Sequence, residues 1–197
     1  MKLEITAVQK LAKVLKILVT IAFVCNMVAI LFVPFLAWHK LEYSGLHEAI
    51  VGELEHTVRL IHYDLDDGLM YFFYPLAKIW TLPYTAVLTV FLWLCGTCTA
   101  VILWQAHRVL DTVLAGETFN MTNSVNMKRA GICCLIISVA AFARLIWGFF
   151  YYKNIAPLLT YNALFVPVFL MGFLLCLVMS ALFRQAAELK EENDLTI

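Results

Sequence analysis

WQAHRVLDTVLAGETFNMTNSVNMKRAG, residues 104–131, is a short polar insert between two apolar runs. Its first half carries helix-forming residues past the end of the run at 82–104 with no stop signal, until Gly116, a residue suited to a helix C-terminal cap. Asn120, Thr122 or Asn123 can then cap a new helix. That helix passes Lys128 and Arg129 and becomes apolar from about Ala130. The stretch predicts two long helices joined by a polar hairpin, each protruding beyond whatever medium covers its apolar part.

That medium is lipid. Hydrophobic residues make up 63% of the 197 and charged residues only 14%, with a mean hydropathy of +0.85, which a soluble domain of this size does not carry. Apolar runs at about 15–38, 82–104, 130–150 and 163–183 are each long enough to cross roughly 30 Å of hydrocarbon. The expected fold is an all-α membrane protein: a four-transmembrane-helix bundle, read as a single membrane domain over 1–197. Helices 2 and 4 extend beyond the membrane as the 105–129 hairpin and the 184–197 tail.

Orientation follows from lysine and arginine. The N-terminal segment, the hairpin and the tail hold nine of them (Lys2, Lys10, Lys13, Lys16, Arg108, Lys128, Arg129, Arg184 and Lys190), against four in the other two loops (Lys40, Arg59, Lys78 and Lys153). Both termini are therefore expected in the cytoplasm. Trp38, Trp80 and Trp147, with MYFFY at 70–74 and FFYY at 149–152, mark the opposite interface. The first run follows lysines as a signal peptide would, but it is too long and lacks a small-residue cleavage site, so it is expected to stay as a membrane helix.

The external loop at about 39–78 carries seven carboxylates against three basic residues. Leu46, Ile50, Leu54, Val58, Ile61 and Leu65 recur within it at helical spacing, predicting an external amphipathic helix. His39, His47, His56 and His62 lie in this loop. On a helical wheel His47 and His56 point apart, and Arg59 sits among His62, Glu55 and Asp66, so no metal site is expected. The six cysteines all fall in apolar runs and read as packing residues, including the Cys95-x-x-Cys98 pair. Gly96 with Ala100, and Ala130 with Cys134 and Ser138, are small residues at i, i+4 spacing that predict close approach of helices 2 and 3.

Two stretches carry a family resemblance: LAGETFNMTNSVNMKRAG at 114–131 and AAELKEENDLTI at 186–197. Together they resemble the bacterial membrane family DUF2975, through Gly116, Phe119, Asn123 and Arg129 in the first and Glu188, Leu189, Glu191, Glu192, Asp194, Leu195 and Ile197 in the second. The family has no established activity. Its frequent association with a small helix-turn-helix regulator implies a membrane-held protein partner, by association and not by mechanism.

Two candidate sites emerge. In the first, the tail folds back so that Leu195 and Ile197 pack on the hairpin, while Glu188, Glu191, Glu192 and Asp194 meet Arg108, Lys128 or Arg129. A partner protein could compete for the same clasp. The second is Arg144, deep in the third helix, where an unpaired arginine costs about 2.5 to 3.5 kcal/mol; Asn26, Tyr161 and Asn162 are its expected partners, or else an anionic ligand. No Ser/His/Asp arrangement, membrane carboxylate pair or phosphate loop is visible, so no enzyme and no cofactor are expected. The sequence thus reads as a non-enzymatic regulatory, sensory or immunity-type protein of the bacterial inner membrane. It touches membrane lipids and a cytoplasmic protein partner, binds no nucleic acid directly, and leaves a homo-oligomer open. The alternative is a small transporter or binder of an anionic or lipid-like ligand at Arg144.

Overall fold

The computed structural model describes residues 2–42, 83–153 and 162–195. Among these residues there are four helices and no strand: α1 (Lys2–Glu42), α2 (Pro83–Leu114), α3 (Met121–Tyr152) and α4 (Asn162–Leu195). The expected amphipathic helix of the external loop, its three histidines His47, His56 and His62, and also Tyr161 and Ile197, lie outside the described residues. Each helix is longer than a bilayer core needs. At 1.5 Å per residue even the 32-residue α2 and α3 reach about 48 Å. Within them Gln9–Pro34, Thr85–Leu114, Met121–Tyr151 and Ala163–Asn193 are apolar and long enough to span a membrane. The chain is a multi-pass membrane protein.

The chain divides into two compact units, Val28–Trp93 and the remainder, Met1–Met27 with Leu94–Ile197. In the smaller unit, Pro34 lies inside α1 and has no N–H to donate to the carbonyl four residues earlier. That carbonyl belongs to Ile30, and the Trp93 indole N–H donates to it at 3.2 Å. A proline defect in one helix is thus answered by a side chain of the next. Thr85 and Thr89 are fully buried in α2, where the Thr89 hydroxyl donates back to the Thr85 carbonyl at 2.7 Å, a membrane-compatible way to satisfy a hydroxyl.

In the larger unit, α3 and α4 run antiparallel along a seam of small residues. The Ser124 hydroxyl donates to the Ser180 carbonyl and the Ser180 hydroxyl to the Ser124 carbonyl, both at 2.8 Å. Further along, a Cβ on Gly131 would stand 3.1 Å from the Cβ of Cys176, and one on Gly172 would stand 3.7 Å from Cys134 Sγ. Ser138 donates to the carbonyl of Val166, beside Pro167, at 2.9 Å. Ser124, Gly131 and Ser138 are spaced one heptad apart, so they share a stripe. Such residues let backbones approach where lipid supplies no hydrophobic drive. Cys134 and Ser138, expected between helices 2 and 3, therefore face α4. An i, i+4 repeat of small residues marks a contact face without specifying which neighbour it meets.

The contact of α1 with α2 in the same unit is built differently, from long side chains. Lys16 Nζ lies 2.6 Å from Asp111 Oδ1, the Phe23 and Trp104 rings are 6.1 Å apart, and Asn26 Nδ2 donates to the Gly96 carbonyl at 3.0 Å. These pairs run in opposite directions along the two helices and make them antiparallel.

Candidate functional site

Among the described residues outside the apolar spans, the hairpin between α2 and α3 is held by the most specific set of bonds. Gly116 adopts φ +81°, its own N–H bonds to the Val113 carbonyl at 3.2 Å, and the Glu117 N–H reaches back to the Thr112 carbonyl at 2.9 Å. These two bonds make a Schellman cap and satisfy carbonyls that the helix end would leave open. The chain then restarts at Asn120, whose extended backbone and side-chain oxygen, accepting from the Thr122 N–H at 3.0 Å, form the N-cap of α3. Of the three capping candidates it is Asn120 that caps.

Asn123 has another task. It is completely buried, and its Nδ2 donates to Thr112 Oγ1 at 2.7 Å and to the Thr118 carbonyl at 2.9 Å. The single hydroxyl proton of Thr112 is shared between the Val109 carbonyl at 2.8 Å and Asn123 Oδ1 at 2.9 Å. One amide therefore ties the last turn of α2, the connecting loop and the first turn of α3. Thr112 and Thr118 were not singled out from the sequence; threonine one turn before a helix-ending glycine was the available signal.

Deeper in the hairpin, the Cys98 and Cys133 side chains of α2 and α3 lie near each other. One heptad outward along each antiparallel helix come Gln105 and Asn126. Both are buried, and Gln105 Oε1 and Asn126 Nδ2 are an acceptor and a donor without hydrogen-bond partners. The hairpin thus buries polar groups at Gln105, Asn123, Ser124 and Asn126 beside the buried Val109 and Leu110.

Its outside carries apolar side chains. Phe119 at the crest is 54% exposed, and Met121 and Val125 on the first turns of α3 are exposed as well. Lys128 and Arg129 follow on the same helix, also exposed. Met121, Val125 and Lys128 are spaced at i, i+4 and i+7 and form one surface stripe, apolar at the crest and basic toward the membrane.

Among the described residues the tail makes no reversal. α4 stays helical through Leu195, and Glu188 pairs with Arg184 on its own helix at 2.8 Å. Continuing the Ser124–Ser180 register puts Arg184 level with Asn120, so Glu188 to Leu195 run on past the hairpin crest instead of across it. The reason is local: QAAELKEEN is a strong helix-forming sequence, and an i, i+4 pair needs no reversal of the chain. Leu189, Glu191 and Glu192 are exposed. Arg108, expected to meet the tail, has its guanidinium 5.8 Å from the Trp104 ring centroid. Asp111 is held by Lys16 of α1 and by His107 Nδ1 at 3.2 Å.

Arg144 is half-buried in α3 and lies within electrostatic range of Cys95 on α2. The Asn26 amide expected beside it donates instead to the carbonyl of Gly96, which the absent glycine side chain leaves accessible. Asn162 opens α4.

The family described as Protein of unknown function (DUF2975) matches residues 62–197. No curated protein and no solved structure matches the chain. The match includes the hairpin, with Gly116, Phe119, Asn123 and Arg129, and the whole of α4. With the greater part of its length covered, including three of the four membrane-capable helices, this chain belongs to the DUF2975 family.

Proposed function

We propose that this chain is a non-enzymatic regulatory, sensory or immunity-type protein of a bacterial inner membrane, acting by presenting the α2–α3 hairpin and the projecting end of α4 to a protein partner in the cytoplasm. The observation that carries the reading is the contrast within the hairpin. Two caps and a fully buried Asn123 fix its backbone, while Phe119, Met121 and Val125 stand exposed on it. A rigid support beneath apolar side chains is how binding surfaces limit the entropy lost on association. The excess of lysine and arginine on this side supports its placement in the cytoplasm. A small helix-turn-helix regulator is the partner that the family association suggests.

Photo-crosslinking from position 119 or 125 of the full chain in cells tests this, with Val139 on a lipid-facing part of α3 as control. Discrete protein adducts are expected from 119 and 125, absent from 139, lost in Met121→Ser and unaffected by Arg144→Gln. If positions 119 and 125 give only the adducts seen from 139, the reading is wrong. If adducts vanish with Arg144→Gln in a chain that still folds, function centres on Arg144 and the anionic-ligand alternative replaces it.

A further inference from the structure

The rim where α1 and α2 leave the apolar layer holds a second group of residues that the partner reading does not use. Trp104 is 50% exposed and stands where polar residues, Gln105, His107 and Arg108, begin to interrupt the apolar sequence of α2. Phe23 of α1 lies at 6.1 Å from its ring, tilted by 43°; His107 stacks at 6.5 Å and 14°; the Arg108 guanidinium sits 5.8 Å from its centroid. One turn outward, Asp111 holds Lys16 and His107. Lys13 is exposed one turn from Lys16 on α1. Among the described residues no carboxylate pairs with Arg108 or Lys13.

From this arrangement we infer that the α1–α2 rim at Trp104, Arg108, Lys13 and Lys16 is a binding site for the headgroup of an anionic phospholipid in the leaflet on the hairpin side. Depth selects a lipid: an exposed tryptophan where an apolar helix segment turns polar sits at headgroup level, and Phe23 beside it and the exposed Val101 one turn inward continue an apolar surface for acyl chains. Charge selects an anion. Arg108 is held out over the indole face with its donors uncommitted to any described carboxylate, and a guanidinium binds a phosphodiester through two parallel hydrogen bonds. The same arrangement rejects a choline headgroup, because the indole face that would receive a quaternary ammonium is already covered by a cation. Asp111 opposes the site by engaging Lys16 and by placing a negative charge beside it, which gives the inference a prediction of each sign.

The test uses the full chain, purified in detergent and exposed to equal amounts of phosphatidylglycerol and phosphatidylcholine, with retained lipid read by native mass spectrometry. Phosphatidylglycerol should be retained preferentially. Arg108→Gln and Lys13→Gln should each reduce that preference about fivefold, the effect of one basic side chain at an anionic leaflet. Arg108→Lys, which keeps the charge and loses the fork, should fall between. Asp111→Asn should raise the preference by about the same factor, a gain that misfolding would not produce. Lys128→Gln with Arg129→Gln on α3 should leave it unchanged. Equal retention by the wild type and Arg108→Gln would overturn the inference, as would an equal loss from the α3 variant, which would reduce the effect to general surface charge. Displacement of the lipid by millimolar inorganic phosphate would also overturn it, marking a free-anion site without acyl-chain recognition. The site is separate from the hairpin crest, so its failure leaves the partner reading standing.

Discussion

The α3–α4 seam and the α1–α2 seam solve one problem in opposite ways. Both join antiparallel helices in a medium where burying apolar surface contributes little, because lipid is as apolar as the helix. Along α3–α4 the side chains are reduced until backbones meet: two serines donate into each other's carbonyls and Gly131 leaves no room for a Cβ without displacing its neighbours. Along α1–α2 the helices are bridged by long groups, a lysine to an aspartate, a phenylalanine to a tryptophan and an asparagine to a carbonyl. The first seam depends on shape and tolerates no added volume. The second depends on reach, and a long side chain can follow a helix that shifts by an ångström. The molecule therefore pairs a fixed seam with an adjustable one, and the two should respond differently to substitution.

The largest response should come from the fixed seam. Gly131→Leu forces a side chain into the position where a Cβ is already 3.1 Å from Cys176 Cβ, and overpacking of this kind costs about 3 kcal/mol. Unfolding in mixed micelles of rising SDS fraction should show that loss, whereas Phe23→Leu on the adjustable seam should lose less than half as much. If the two losses were equal, the distinction between shape and reach would collapse.

Next is the joint between the seams. Asn123→Ala leaves the Thr118 carbonyl without its amide donor and Thr112 Oγ1 without a donor beside a buried site, a loss of about 2 kcal/mol. Amide exchange in the 112–123 segment should accelerate locally before global unfolding. Uniform acceleration along α2 and α3 would mean that Asn123 stabilises the whole pair and not the turn.

These residues also mark how far the fold could be read beforehand. Four apolar runs of bilayer length appear as four helices because length and hydropathy act locally, and the hairpin was legible for the same reason: Gly116 and Asn120 determine their own backbone. What eluded the sequence is pairwise. Nothing in Ala130, Cys134 and Ser138 says which neighbour they face, and nothing in Asp111 names Lys16, far away in the chain, over Arg129 nearby. The charges of the tail make the same point, since opposite charges were matched by composition while Glu188 already had Arg184 one turn away on its own helix. Asn26 was recognised as a polar group in need of a partner, but its acceptor is a backbone carbonyl, which no residue name advertises.

A smaller effect, of about 1 kcal/mol, tests repair at the proline. Trp93→Phe removes the donor to the Ile30 carbonyl, and in lipid that carbonyl has no water to replace it. In a Pro34→Ala background the helix supplies its own N–H to Ile30, so the same tryptophan substitution should lose most of its effect. A coupling of zero in the double-mutant cycle would show that Trp93 acts through packing and that the bond is incidental.

The smallest effect belongs to the ion pair that closes the adjustable seam. Lys16 and Asp111 are in close contact, yet their side chains remain 34% and 46% exposed, and pairs so open to solvent couple by only about 0.2 to 1 kcal/mol. A cycle of Lys16→Met and Asp111→Asn should give about 0.5 kcal/mol at low salt. Most of it should disappear in 1 M salt, where the screening length falls to about 3 Å. A coupling above 2 kcal/mol that resists salt would mean the pair is shielded and the α1–α2 seam is as fixed as its counterpart. A weak, salt-sensitive coupling has a further consequence at the lipid rim. Lys16 could then exchange Asp111 for a phosphate at little cost, so the headgroup that occupies the site would also loosen the contact between α1 and α2, and the adjustable seam would be the one that lipid adjusts.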